Sequence, residues 1–188
     1  PISQYGEIAL HSYGHNHLTH LSNKEIYDDT QKSYDIFTKK LGFEPKGYVY
    51  PYGEYDKRVK DVVSRFNFDY IANQSVGNVN KKSDVLDLNR IALVGKVNIK
   101  QKLKYTTLAA KWMEPKEYPN NGILKNVKVK IDPKIKNAKL YISGFGWKDI
   151  KVKNGIINIK LNKKLKLARN RVAISTDYYK ISSKLLIK

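Results

Sequence analysis

The 188-residue sequence contains no cysteine, so disulfide bonds and thiolate metal sites are excluded. It also lacks an apolar run of about 18 residues, the length that a membrane-spanning helix requires. There is no initiator methionine and no leader, and strand-like residues 8–10 follow almost at once. We therefore expect a longer protein whose upstream sequence is missing from this chain. Histidine is scarce as well, and all four histidines fall within residues 11–20.

The net charge of +19 is unevenly distributed along the chain. Residues 1–95 hold 12 Lys+Arg and 12 Asp+Glu, whereas residues 96–188 hold 24 and 5. The whole positive excess thus lies in the half without histidine, which predicts two parts with different tasks. The charge alone would suit a nucleic-acid-binding protein, but the first half is neutral and no nucleic-acid motif is present. We expect no nucleic-acid partner.

The first half alternates strand and helix signals. The S-x-x-E capping box at residues 22–25 predicts a helix start, and Gly42 is placed to end that helix. A second helix is predicted over residues 56–66 from its apolar stripe. Strands are predicted at residues 7–10, 46–50, 70–72 and 90–94. This βαβαβ rhythm indicates parallel strands in a β/α layer or barrel.

The second half has a different rhythm. A helix is predicted over residues 100–113, followed by a turn-rich segment. Six short alternating runs then predict strands. Asn154-Gly155 predicts a hairpin turn between the third and fourth of them. The predicted fold class is α/β: a partial distorted (β/α) barrel followed by a small antiparallel β-sandwich domain. The predicted boundaries are 1–112 for the barrel, 113–121 for a linker and 122–188 for the basic sandwich.

His11 and His15 are the first candidates for metal ligands. Their i, i+4 spacing lets two imidazoles converge on one cation in a helical turn or a tight loop. They follow a predicted buried strand, at the edge of a β/α fold where active sites are built. Gly14 is expected to permit a backbone turn that a side chain would hinder. The alternative is that these histidines are solvated loop residues.

Two stretches resemble motifs of a known family. Residues 6–15 read G-E-I-A-L-H-S-Y-G-H, which resembles the H-[S/T]-x-x-H motif of the polysaccharide deacetylases. Residues 50–55 read Y-P-Y-G-E-Y, which is similar to the family's later R-x-P-Y-G motif. The motifs occur in the family's order with one helix between them. The resemblance to these chitooligosaccharide-deacetylase-type domains, carbohydrate esterase family 4, covers roughly residues 4–95.

The resemblance implies a distorted β/α barrel, a divalent metal and a hydrolytic reaction. His11 and His15 would bind the metal, most often Zn²⁺, together with an aspartate. The backbone N–H of Tyr52 would donate to the developing oxyanion, and Pro51, Tyr52 and Gly53 would contact the substrate. Without the resemblance, Pro51 and Gly53 would be an ordinary strand-to-helix turn.

The sequence departs from the family pattern in several places. The family's metal-binding and base aspartates belong to a T-F-D-D motif that this chain lacks, since its one Asp-Asp pair lies inside the first predicted helix. We therefore expect the base and third ligand either to lie upstream of residue 1 or to be absent, and we expect the chain to be inactive alone. Val49 replaces the motif arginine, and no histidine after His20 can supply the family's catalytic acid. His17 and His20 are interpreted as surface or substrate-edge residues, with a substitute acid as the alternative.

The predicted function is metal-dependent N-deacetylation of a polysaccharide that contains N-acetylglucosamine, such as poly-N-acetylglucosamine or peptidoglycan. The alternative is a degenerate deacetylase fold that binds polymer without cleaving it. Exposed aromatics of the basic sandwich could stack on sugar rings while its lysines contact an anionic polymer or the cell envelope. Equally, the aromatics could be core residues and the lysines a solvated face. We expect an exported bacterial protein, periplasmic or at the cell surface.

Overall fold

The chain divides into two compact units, each with a hydrophobic core of its own. The computed structural model describes residues 2–81, 83–91, 93 and 95–188. The first unit comprises Pro1–Gln74 and Val79–Arg90, and the second comprises Ser75–Asn78 and Ile91–Lys188. Within the described residues, no helix has the length and apolar character needed to cross a membrane.

The first helix of unit 1, α1, spans Asn23–Leu41 and has the predicted ends. The Ser22 side chain accepts a hydrogen bond from the backbone N–H of Glu25, and the Glu25 carboxylate accepts from the Ser22 backbone N–H. At the other end Gly42 adopts φ 77° and donates to the Thr38 carbonyl. A capping box and a left-handed glycine satisfy backbone groups that the helix itself cannot.

A short parallel β layer confirms the β/α character of unit 1. Strands β1, Gly47–Val49, and β2, Tyr70–Ala72, pair in parallel, with Tyr48 opposite Ile71. The predicted strand at residues 7–10 reduces to a single parallel bridge from Leu10 to Tyr48. The order across the layer is therefore Leu10, β1, β2. The described residues form no closed barrel.

The predicted strand at residues 90–94 is not observed. Ala92 and Val94 lie outside the described residues, while Arg90, Ile91 and Leu93 have no regular secondary structure. The pairing with β2 occurs earlier in the chain, as one parallel bridge between Ala72 and Leu88.

Helix α2, Lys57–Val63, is the second predicted helix, capped by the Asp56 side chain, which accepts from the Val59 N–H. It continues as a 3-10 turn at Ser64–Phe66. The other 3-10 turns of the unit are Ile2–Gln4, Leu18–His20, Pro51–Gly53 and Val85–Asp87. Its core brings together buried side chains from the β layer and both helices: Leu10, Leu18, Ile26, Phe37, Tyr48, Tyr50, Val59, Val62, Val63, Phe68 and Ile71.

Unit 2 is built from strands. A short helix α3, Ile99–Lys102, precedes them. The strands are β3 Thr106–Thr107, β4 Lys111–Glu114, β5 Ile123–Lys130, β6 Asn137–Ile142, β7 Gly146–Lys151, β8 Ile156–Lys164, β9 Arg169–Ser175 and β10 Lys180–Ile187. They form a five-stranded sheet of order β3-β10-β9-β6-β7 and a three-stranded sheet of order β4-β5-β8. Both sheets contribute to one core, so the predicted sandwich and all six of its strands are confirmed.

Of two local predictions for the second half, one was wrong and the other was confirmed only at its turn. The helix predicted over residues 100–113 ends at Lys102, and Trp112 instead lies in β4, packs against the sandwich core and donates from Nε1 to the Ser182 hydroxyl at 2.9 Å. The Asn154-Gly155 turn does form, with φ 49° and 74°. An antiparallel bridge between Lys153 and Ile156 closes the turn, but the pairing extends no further, because β7 pairs with β6 and β8 pairs with β5.

The division into units also differs from the predicted boundary at residues 113–121. The sandwich recruits strands from before that segment, since β4 pairs with β5 and β3 pairs in parallel with β10. Residues 95–112 therefore cluster with the sandwich.

Candidate metal and substrate site

His11 lies at the carboxyl end of the parallel layer. The bridge residue Leu10 donates to the Gly47 carbonyl at 2.9 Å and accepts from Val49 at 2.8 Å. The His11 ring then turns back, with Nδ1 2.6 Å from the Val49 carbonyl oxygen. Because a carbonyl only accepts hydrogen bonds, Nδ1 carries the proton and Nε2 keeps its lone pair. This is the tautomer of a metal-binding imidazole held by a backbone carbonyl.

The loop from His11 to His15 is a tight turn rather than a helix. The left-handed backbone falls on Ser12, with φ 61°, and on His15, with φ 50°. The Ser12 hydroxyl accepts from the His15 N–H at 2.9 Å, which closes the turn. A side chain at Gly14 would hinder the turn, as expected. Gly14 has no positive φ, but a Cβ there would clash with the Asn16 side chain and crowd the Asp29 carboxylate.

Asp29 of α1 anchors this loop. One carboxylate oxygen accepts from the Tyr13 N–H at 2.9 Å and the other from the Gly14 N–H at 2.8 Å. Two charge-assisted bonds to consecutive backbone groups fix the position of the loop between the two histidines. The sequence interpretation had considered Asp29 only as a misplaced metal-site aspartate.

The structure brings His11, His15 and Tyr52 together. The ring centroids of His11 and His15 are 4.9 Å apart, and those of His15 and Tyr52 are 4.5 Å apart, both pairs meeting edge to face. The convergence follows from the topology, since His11 follows the Leu10 bridge, Tyr52 follows the neighbouring β1, and parallel chains end at one edge.

The turn that carries Tyr52 is strained. Tyr52 has φ 58° and ψ 0°, a left-handed conformation that is uncommon for a bulky side chain and that the surrounding packing must hold in place. Pro51 opens the turn and is buried. Gly53 has φ 69°, and a Cβ there would clash with Gln74, so two features require glycine.

His17 is exposed, as predicted for a surface residue, and it is also part of the same cluster. Its ring stacks on Tyr52 with centroids 4.3 Å apart and planes 9° from parallel. Its Nδ1 lies 2.6 Å from Oε2 of Glu54, whose side chain is 1% exposed. His20 lies beyond it, with a ring-centroid distance of 5.5 Å from His17. The Tyr52 ring is thus held between His15 and His17.

Arg58 of α2 fixes the segment that follows the histidine cluster. Its guanidinium donates to the Leu21 carbonyl at 2.6 Å and to the Thr19 carbonyl at 3.0 Å. Helix α2 thereby positions the chain leaving His17 and His20, as α1 positions the chain before them through Asp29.

The surroundings of His11 favour its neutral form. Partial burial lowers the pKa of His11, and the nearby positive groups His15 and Arg90 lower it further. The hydrogen bond to the Val49 carbonyl acts in the opposite direction and does not outweigh them. A neutral imidazole is the form that coordinates a metal ion.

The donor set fits part of a metal site. Two imidazoles 4.9 Å apart, one with its tautomer fixed, match the nitrogen ligands of a zinc centre. Among the described residues, no group of three or more His, Cys, Asp or Glu side chains could hold a metal ion. His11 and His15 could therefore supply two ligands, and their metal-binding role stays a prediction, as do the roles of Pro51, Tyr52 and Gly53.

Sequence reasoning missed Glu54, Asp29 and Arg58. Glu54 follows the P-Y-G motif directly, and that adjacency was the available signal. Asp29 and Arg58 contact the histidine loop from two helices, and the sequence around each residue does not indicate that contact. Pairings over 15 to 39 residues depend on the fold rather than on spacing.

Comparisons with known proteins agree with the two sequence motifs. The family described as polysaccharide deacetylase matches residues 2–71. No curated protein matches the chain. Three solved structures are similar to part of it. They are a family 4 carbohydrate esterase from Streptomyces lividans in complex with acetate, a Streptococcus pyogenes deacetylase in complex with acetate, and a de-N-acetylase from Aggregatibacter actinomycetemcomitans.

These similarities are partial. Sequence identities are 22%, 23% and 19%, with TM-scores of 0.37, 0.45 and 0.36 in the same order. The aligned parts cover 41%, 50% and 43% of this chain. The chain thus spans only 40%, 42% and 31% of the length of those structures. Taken with the motifs, the match shows that this chain contains a polysaccharide deacetylase domain, of carbohydrate esterase family 4, in residues 2–71.

Proposed function

We propose that this protein takes part in metal-dependent removal of N-acetyl groups from a polysaccharide that contains N-acetylglucosamine. The polymer is an exopolysaccharide such as poly-N-acetylglucosamine, or peptidoglycan. One observation carries the proposal. In a polysaccharide deacetylase domain, the His11 and His15 rings lie 4.9 Å apart and the Val49 carbonyl fixes the His11 tautomer.

His11 and His15 would hold the ion, which we assign as Zn²⁺ because imidazole nitrogen suits it. When bound, the metal activates a water molecule and polarises the amide carbonyl of an otherwise poor electrophile. Every remaining task belongs to side chains and backbone groups. The carboxylate base and third ligand are expected from the T-F-D-D aspartates, which this sequence does not contain.

The turn at Pro51–Gly53 would orient the substrate. The left-handed backbone of Tyr52 fixes the direction of its N–H, which would donate to the amide oxygen as negative charge develops there. Because the Tyr52 ring is held between His15 and His17, this donor stays close to the metal-binding histidines. A donor fixed in advance needs no reorganisation during the reaction.

The test measures acetate release from acetylated oligomers by the full reading frame that contains these 188 residues, with zinc added. We expect release by the wild type and none above background by a His11→Ala/His15→Ala variant. Wild-type protein with a complete carboxylate set that released no acetate would contradict the proposal. Equal release by the double variant would also contradict it.

A second candidate is a polysaccharide-binding module that does not cleave its ligand. The observation in its favour is that the described residues contain no three-ligand metal group. This candidate predicts that oligomers bind with unchanged affinity to wild type and to the double histidine variant, without any acetate release.

We also propose that the protein is exported to the periplasm or cell surface, where such polymers lie. The basic second unit would then contact the substrate polymer or an anionic component of the cell envelope. Fractionation of cells that express the full reading frame tests this, and a purely cytoplasmic signal would contradict it.

A further inference from the structure

A half-buried Tyr141 and an exposed Trp147 form an aromatic pair on the outer face of the five-stranded sheet. They are direct cross-strand neighbours on β6 and β7, with ring centroids 5.2 Å apart. The alternating residues of β6 that point inward are buried in the sandwich core. Since side chains alternate along a strand, the aromatic pair lies on the opposite face, where Trp147 is 50% exposed.

The neighbouring cross-strand pairs on this face are polar. Lys139 lies 3.6 Å from Asp149, and the Lys151 ammonium donates to Asn137 Oδ1 at 2.8 Å. The aromatic pair is therefore flanked by polar pairs on one side, while the turn on its other side carries Phe145, which is 44% exposed. A protein partner would need a wider apolar area, whereas a sugar ring presents one apolar face edged by hydroxyl groups.

Cationic side chains outnumber acidic ones near the pair, since Lys139, Lys151 and Arg171 accompany one carboxylate, that of Asp149. Arg171 lies near Tyr141 on the adjacent strand β9, and the whole chain excess of +19 falls within residues 96–188. An uncharged N-acetylated sugar can bind beside these cations without electrostatic repulsion. Removal of the acetyl group leaves an amine, and its protonated form is repelled by surrounding cations.

We propose that Tyr141 and Trp147 form a binding site for an N-acetylated glycan chain, and that the surrounding positive charge favours the acetylated polymer over its deacetylated product. The identity of the glycan rests on the proposed function of unit 1. The site would retain substrate near the enzyme and release the chain once it has been deacetylated.

The test titrates the full 188-residue chain with short N-acetylglucosamine oligomers, and with matching glucosamine oligomers at pH 6, where their amines are protonated. Heteronuclear NMR and calorimetry follow the binding. We expect the acetylated oligomer to bind more tightly, and the difference to shrink at high salt because screening weakens the repulsion. Parallel titrations with β-1,4 and β-1,6 linkages distinguish the two polymer sources.

Variants localise the site. Trp147→Ala should weaken binding of the acetylated oligomer by about tenfold or more, as expected for a central aromatic contact. Trp147→Phe should retain most of the affinity. The matched control is Tyr178→Ala, since Tyr178 is another exposed aromatic of unit 2, 70% exposed and distant in sequence from the pair. It should bind as the wild type does.

Several results would overturn the inference. They are absence of binding, unchanged affinity in a folded Trp147→Ala variant, equal weakening by Tyr178→Ala, or tighter binding of the glucosamine oligomer. Failure of the proposed function is distinguishable, because His11→Ala/His15→Ala should abolish acetate release yet leave this binding intact. Lost binding with retained acetate release would overturn only the inference made here.

Discussion

Nδ1 of His17 lies 2.6 Å from Oε2 of Glu54, a carboxylate with 1% of its side chain exposed. The same imidazole stacks on Tyr52, so the buried carboxylate orients a ring that in turn supports the strained Pro51–Gly53 turn. This relationship links the histidine loop to the second motif of the domain, and several predictions depend on it.

Glu54→Ala should lower the free energy of unfolding by about 1–3 kcal/mol, because it removes a buried hydrogen bond and leaves a cavity. Glu54→Gln should cost less, since the amide oxygen can still accept from His17. Urea denaturation followed by circular dichroism measures both variants. Unfolding midpoints equal to the wild type for Glu54→Ala would show that the pair does not support the turn.

Asp29→Ala should weaken zinc binding by about tenfold or more, as found when partners that orient metal ligands are removed. The cause is the loss of both backbone hydrogen bonds that hold the loop between His11 and His15. The neighbouring Asp28 offers a matched control, because it is exposed and pairs with Lys24 on the same helix. Calorimetric zinc titrations that gave the same affinity for Asp29→Ala and Asp28→Ala would contradict this role.

Gly53→Ala should destabilise the protein by about 1–3 kcal/mol, since φ is 69° and the added Cβ meets Gln74. Gly6→Ala is the control, because no atom lies within 4 Å of a Cβ at that position. Thermal unfolding compares the two. A Gly53→Ala variant as stable as Gly6→Ala would mean that the turn relaxes without cost.

The pKa of His11 should be lower than that of an ordinary histidine, chiefly because of partial burial. Between its unfolded value of about 6.5 and the lower folded value, the unfolded chain binds more protons than the folded chain. The His11 contribution to stability is therefore fully present above that range and is lost as the pH falls through it. NMR titration should also find the proton of neutral His11 on Nδ1. A raised pKa would contradict the dominant effect of burial, and a proton on Nε2 would contradict the observed contact with Val49.

The sequence predicted features that depend on neighbouring residues. Ser22 and Glu25 are three positions apart and Gly42 ends the same helix, so both helix ends were predictable from local chemistry. The six sandwich strands likewise followed from alternation. His11 and His15 were brought together as their spacing indicated, although by a left-handed loop rather than a helical turn.

Features that depend on distant partners were missed. Residues 100–113 were predicted as helix, but Trp112 gains a core position and a hydrogen bond to Ser182 by lying in a strand. The Asn154-Gly155 turn was predicted correctly, yet its flanking strands found other partners in two sheets. The His17–Glu54 contact joins residues 37 positions apart, and no local pattern indicates such a pair.

The most direct test of the account is a zinc titration, by calorimetry near pH 7, of the full reading frame that contains these 188 residues. We compare the wild type with a His11→Ala/His15→Ala variant and with His20→Ala, which changes a histidine outside the proposed ligand pair. The account predicts about one zinc ion per chain for the wild type and for His20→Ala, and none for the double variant. Zinc uptake by the double variant equal to that of the wild type would contradict the assignment of His11 and His15 as metal ligands.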